Sequence, residues 1–238
     1  ENSEFVNNLA YNGAAINVNA DGNGKATYSI KNCTFIGNNA TGIGSVGYSS
    51  AGGAISLARD TDGTITDSRF YNNTATMGGA IDVSASRNSL KVSINNCEFI
   101  NNTAVGSATS DAVGGAIRIG STKVSGDKLV VSVENSNFTN NVAGDGGSAI
   151  YNDGQLTLDN NNVSSQEADI AGTGNIVSTI IIEVMNDGTA YHFANITLQA
   201  KVTDDFGNLM DITGLNLTVN DTANTNVVVK YNPGTGLY

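Results

Sequence analysis

The chain holds one histidine, His192, set between Tyr191 and Phe193. Every Ser-His-Asp, Cys-His or histidine–metal arrangement would have to run through it, and it is not read as catalytic. Carboxylates make a more serious rival, because glycoside cleavage needs two carboxyl groups about 5–9.5 Å apart. Two sets of residues recur at matching places along the chain: Asn17, Ser56, Asp82, Arg118, Tyr151, and Glu4, Thr34, Arg69, Glu98, Asn137. Every carboxylate in them except Glu4 has an arginine for its neighbour, Asp82 with Arg118 and Glu98 with Arg69. Such pairs read as ion pairs on a wet surface, worth about 0–1 kcal/mol. A carbohydrate-active enzyme stays open as the alternative.

Metal chemistry fares no better. Asp60-Thr61-Asp62-Gly63 and Asp21-Gly22-Asn23-Gly24 offer two or three side chains each, whereas calcium takes about six to eight oxygens. Both are read as solvated turns, and no metal or cofactor is expected. The two cysteines, Cys33 and Cys97, occupy equivalent places two repeats apart, roughly 9.6 Å if coils rise about 4.8 Å each. A disulfide needs Cα atoms within about 7 Å, so both are expected to be free, buried and inert.

The elements that must position these residues are copies of one unit. In Asn95-Asn96-Cys97-Glu98-Phe99-Ile100-Asn101-Asn102-Thr103-Ala104 a small residue is followed two places later by a large apolar one, three further by Asn, and two further by Ala. The apolar place reads Phe5, Phe35, Phe70, Phe99, Phe138, then Val163. The polar place reads Asn8, Asn38, Asn73, Asn102, Asn141, then Gln166. Each copy runs into a second motif, as in Gly52-Gly53-Ala54-Ile55, Gly78-Gly79-Ala80-Ile81 and Gly114-Gly115-Ala116-Ile117. The phenylalanines are spaced 30, 35, 29, 39 and then 25 residues before Val163, so the repeat absorbs insertions while its core letters hold phase, as a solenoid does. Within a copy the apolar period is two, as in Val133, Ser136 and Phe138 around a turn. Short strands with identical letters recurring coil after coil describe a parallel β-helix, taken as right-handed because parallel crossovers almost always are.

Stacking explains the letters. At about 4.8 Å per coil the phenylalanines lie face over face, and each asparagine can pass a hydrogen bond to the next, as in cross-β ladders. A second column, Asn2, Asn32, Asp67, Asn96, Asn135 and Asn160, fits a corner in the left-handed backbone region that Asn and Asp tolerate.

The paired signatures Phe-x-x-Asn (Phe70 to Asn73) and Gly-Gly-Ala-Ile (Gly78 to Ile81) resemble the polymorphic-membrane-protein type of repeat. They are also similar to repeats in adhesin-like surface proteins of methanogenic archaea, where such a β-helix precedes immunoglobulin-like domains. The resemblance covers roughly residues 1–177 and implies an extracellular, cell-surface, non-enzymatic adhesin.

Past residue 177 the period changes. Segments 180–184, 196–202, 215–219 and 227–231 read as strands, and Ala200-Lys201-Val202-Thr203-Asp204-Asp205-Phe206-Gly207-Asn208 resembles immunoglobulin-like domains. Such a sandwich takes about 100 residues, so residues 178–238 are expected to be an incomplete one. The architecture expected is therefore all-β: about six coils over residues 1–177, then a partial immunoglobulin-like sandwich. Opening inside a repeat, the chain is expected to be a piece of a larger protein.

Composition agrees with a surface role. With 34 asparagines, 28 glycines and one proline the vocabulary is one of strands and corners. A net charge of −11 repels nucleic acid, and the apolar run 176–184 is too short to span a bilayer. The partner expected is a host or neighbouring cell surface, protein or glycan, met by a monomeric fragment. Contact is assigned to two insertions at one corner, residues 41–51 and 105–113, through Tyr48, Ser49, Ser50 and Asp111, because function concentrates on loops carried by rigid scaffolds. Sequons at Asn39, Asn72, Asn101, Asn195 and Asn216 are candidate glycosylation sites. A pure spacer, with recognition elsewhere, is the third reading.

Overall fold

A computed structural model describes residues 1–20, 24–41, 50–84, 90–120, 129–164, 169–178, 181–184 and 200–203. All regular structure among them is β-strand. The chain divides into two compact units, Glu1–Val177 and Ser178–Tyr238.

The first unit is a parallel β-helix. A phenylalanine sheet stacks Glu4–Val6, Thr34–Ile36, Arg69–Tyr71, Glu98–Ile100, Asn137–Thr139 and Asn162–Ser164 in order. An isoleucine sheet stacks Ile16–Asn19, Ile55–Ala58, Ile81–Ser84, Ile117–Gly120, Ile150–Asn152 and Ile170–Ala171. A long sheet stacks Ala26–Lys31, Thr61–Thr66, Leu90–Asn95, Leu129–Glu134, Gln155–Asp159 and Asn175–Ser178, and a short four-stranded sheet holds the repeated alanines. Pairing is in strict register: Phe70 faces Phe35 and Phe99, and Ile81 faces Ile55 and Ile117. Alternation decides which face is inside. In Leu129–Glu134 the residues Leu129, Val131 and Val133 are buried and their neighbours are partly open. Of the segment 60–63 only Asp60 lies at a bend: Thr61–Thr66 is a strand with Thr61 buried, because its place is the interior column shared with Leu90 and Leu129.

Each coil turns three corners through left-handed backbone. The column from Asn2 to Asn160 has φ between 49° and 54°. Gly52, Gly78 and Gly114 form a second corner with φ from 63° to 70°, where glycine is the residue without a steric cost. Its partner glycine serves a different need, since a Cβ on Gly79 would lie 2.1 Å from the Gly115 carbonyl oxygen of the next coil. A third left-handed column, Asn7, Gly37, Asn72, Asn101 and Asn140, went unread in the sequence although each member directly precedes a ladder asparagine.

In the second unit, Ile181–Val184 pairs antiparallel with Ala200–Thr203. The other strands expected there, and His192, lie outside the described residues.

Candidate functional site

The scaffold beneath any contact surface is the inner ladder. Asn38, Asn73 and Asn102 are wholly buried. Asn73 Nδ2 donates to Asn102 Oδ1 at 2.9 Å and to the Phe35 carbonyl at 3.1 Å, while its backbone N–H donates to the same Asn102 oxygen at 3.0 Å. Asn8, Asn38 and Asn102 repeat the donation to the next coil. Asn38, Asn102 and Asn141 repeat the bond back to Phe5, Phe70 and Phe99. Both amide hydrogens of Asn38, Asn73 and Asn102 are thus used, and each of their oxygens accepts two bonds. Beside this file Phe5, Phe35, Phe70, Phe99 and Phe138 stack with ring centroids 4.8–4.9 Å apart and planes within 6°. Full burial of one such ring contributes about 3 kcal/mol.

The small-residue column works similarly. Cys33 and Cys97 are free and buried, and their backbone N–H groups donate to the Ser68 and Ser136 hydroxyls of the following coils at 3.1 Å. Burial pushes the Cys97 thiol from its ordinary 9.0 up to about 11, the opposite of an activated nucleophile.

Of the residues assigned to partner contact, Tyr48 and Ser49 lie outside the described residues. Ser50 is corrected: it has no exposed surface, and its hydroxyl bonds Thr76 at 2.9 Å, because the chain has already turned inward to meet the glycine corner. Asp111 is exposed. Its insertion is pinned to the stack, with Gly106 N–H on the Thr76 carbonyl and Ala112 exchanging bonds with Asp145.

The column running through Asp82 also needs correcting. Arg118 Nη1 meets Asp82 Oδ1 at 2.7 Å, and the two side chains are only 15% and 3% exposed. That pair is buried, not on a wet surface. Arg118 also donates to Ser84 Oγ at 3.2 Å, and Ser84 in turn donates to Asp82. Burial alone would lower the guanidinium's pKa, but the Asp82 charge and hydrogen bond outweigh it and the net direction is up. Tyr151 stands next in the column, its phenol raised by burial and then by Asp153, with Asp111 adding to the effect. Ser84 and Asp153 escaped the sequence reading because they belong to neither repeated column. By contrast, Arg69 and Glu98, 3.5 Å apart, are 58% and 37% exposed. Tyr71 donates to the same carboxylate, and its own phenol rises to about 12 through burial and that bond.

Among the sequons, Asn72 and Asn101 are exposed at left-handed corners. Asn39 is half-buried with its amide oxygen enclosed, and Asn195 and Asn216 lie outside the described residues. Among the described residues no group of three or more His, Cys, Asp or Glu could hold a metal ion.

Residues 135–153 match the Chlamydia polymorphic membrane protein repeat. The matched segment carries Phe138, Asn141 and Gly147-Ser148-Ala149-Ile150, one round of both signatures. No curated protein and no solved structure matches the chain. The repeat match and the stacked parallel sheets together fit a protein built from β-helix repeats of the polymorphic-membrane-protein type.

Proposed function

We propose that this chain is a non-enzymatic, extracellular segment of a cell-surface protein: a stiff β-helical stalk that presents adhesive surface to a host or neighbouring cell. The reading rests above all on the unbroken interior ladder from Asn8 to Asn141. It holds register across coils whose outward loops differ in length, the arrangement a display rod needs and repeat scaffolds supply. The polymorphic-membrane-protein repeat match supports the surface setting. The second unit is proposed as the start of an immunoglobulin-like domain, a reading that its antiparallel pair supports.

Beads coated with the whole chain test the proposal. Adhesion to cells, weakened when residues 105–113 are replaced by a short glycine linker, is the expected result. Undiminished adhesion by that variant turns the reading toward a spacer, and absence of any adhesion overturns it. New reducing ends released from bound glycans would instead establish a carbohydrate-active enzyme.

A further inference from the structure

Of the asparagine columns in this β-helix, two have their side chains engaged. The ladder amides bond from coil to coil, and in the outer column Asn32, Asn96 and Asn160 donate to the coil before. The third column, the left-handed corner of Asn7, Gly37, Asn72, Asn101 and Asn140, holds the stack by its backbone. Asn72 N–H donates to the Ile100 carbonyl and Asn101 N–H to the Thr139 carbonyl, each at 3.0 Å. The side chains of Asn72 and Asn101 are exposed and make no hydrogen bond to any described residue.

Left-handed backbone accounts for an asparagine at this corner, and Gly37 meets that need without a side chain. Two places on stand Thr74 and Thr103, paired in register on adjacent short strands and partly open. Leu9 and Val142 hold the same place in other coils, so the fold does not require a hydroxyl there. Neither threonine hydroxyl has a partner among the described residues. Acceptor amide and hydroxyl are thus free together at one open corner.

We propose that Asn72 and Asn101 are sites of N-linked glycosylation. The reaction needs Asn-x-Ser/Thr on accessible chain and a sugar activated as a glycosyl phosphate ester. Asparagine Nδ2 bonds the sugar's anomeric carbon, the carbon–oxygen bond to the phosphate breaks, and the amide gives up one proton. The structure separates these two sequons from others. Asn32 Nδ2 is bonded to Asn2 Oδ1 at 2.8 Å, and the Asn39 amide oxygen is enclosed. Asn137 and Asn162 stand within strands of the phenylalanine sheet. Lying one coil apart, about 4.8 Å, Asn72 and Asn101 would set their sugars side by side along one edge of the rod. This concerns what the chain carries and is independent of the adhesive reading.

The test uses the folded whole chain, a soluble sequon-specific N-glucosyltransferase and UDP-glucose, with peptides 30–42, 70–76 and 99–105 as unfolded controls and peptide mapping by mass spectrometry. In the folded chain Asn72 and Asn101 should gain glucose at least about fivefold faster than Asn32 and Asn39, roughly the factor that giving up one hydrogen bond costs. Peptide 30–42 should erase that difference. No glucose at Asn72 and Asn101 in the folded chain while peptides 70–76 and 99–105 accept it overturns the inference, as do equal rates at Asn32 or Asn39. Secreted from yeast, the same chain should carry glycan at both corners, and N72Q/N101Q, folded by circular dichroism, should lose it. Secreted chain bare at both positions overturns the inference as well.

Discussion

Two files of asparagine run the length of this β-helix, and they behave differently. The inner one, Asn8 to Asn141, is buried through its middle and continuous, each amide donating toward the C-terminal neighbour. The outer one is exposed and donates the other way: Asn32 to Asn2, Asn96 to Asp67, Asn160 to Asn135. Asp67, a carboxylate, has no hydrogen to pass on to Asn32, so the outer file is interrupted there. The same residue type therefore does two jobs. Inside, the amide is held because an unpaired buried polar group costs about 1–3 kcal/mol. Outside, water replaces any lost partner, and asparagine stays because it tolerates φ near 50°.

Asn73→Leu breaks this contrast hardest. It strands the donors of Asn38 and the Phe35 carbonyl oxygen and leaves the Asn102 oxygen with only the backbone N–H of residue 73, several buried groups at about 1–3 kcal/mol each, so a loss of about 5 kcal/mol is expected by denaturant unfolding. Phe70→Ala removes the middle of the ring stack and should cost about 4 kcal/mol. Arg118→Met leaves Asp82 buried without its cation, a loss of about 3 kcal/mol. Adding Asp82→Leu should restore most of it, and failure to do so would mean the pair is not the cause.

Alkaline titration sharpens the comparison for the cysteine column. The Cys97 thiol is raised from 9.0 to about 11 by burial, so the folded state holds that proton more tightly than the unfolded chain. Its contribution to stability is whole below about pH 9 and is lost as pH climbs through about 11. Cys97→Ser should flatten stability against pH in that window. The smallest effect is reserved for the outside: Asn96→Gly, which keeps the left-handed corner free of steric cost, and Arg69→Ala should each change stability by no more than about 0.5 kcal/mol, and a larger loss at either would erase the distinction drawn between inner and outer files.

Much of the fold was legible because the columns that matter are inward and monotonous. Phe5 to Phe138 and Asn8 to Asn141 recur as letters since each must meet a copy of itself one coil away. The Asn72 and Asn101 corner was missed because in Asn-Asn one residue was read as the ladder and its neighbour was credited only as a sequon. The site was less legible. Ser50 sat in an insertion and was taken for surface, yet the turn back into the glycine corner buries it. Asp82 and Arg118 were paired correctly but judged wet, since alternation alone reports which face a side chain leaves from and not whether that face is covered.

The amino-acid sequence alone determined the repeat, its strand period, the stacking columns and the acidic, helix-poor character, because each is a local rule that recurs. Only the tertiary structure decided the direction of the amide ladders, the burial of one ion pair and the exposure of the other, and the freedom of the Asn72 and Asn101 amides at an open corner. Those depend on register between coils 25 to 39 residues apart, and spacings that vary along the chain become a constant rise only when the coils are laid on one another.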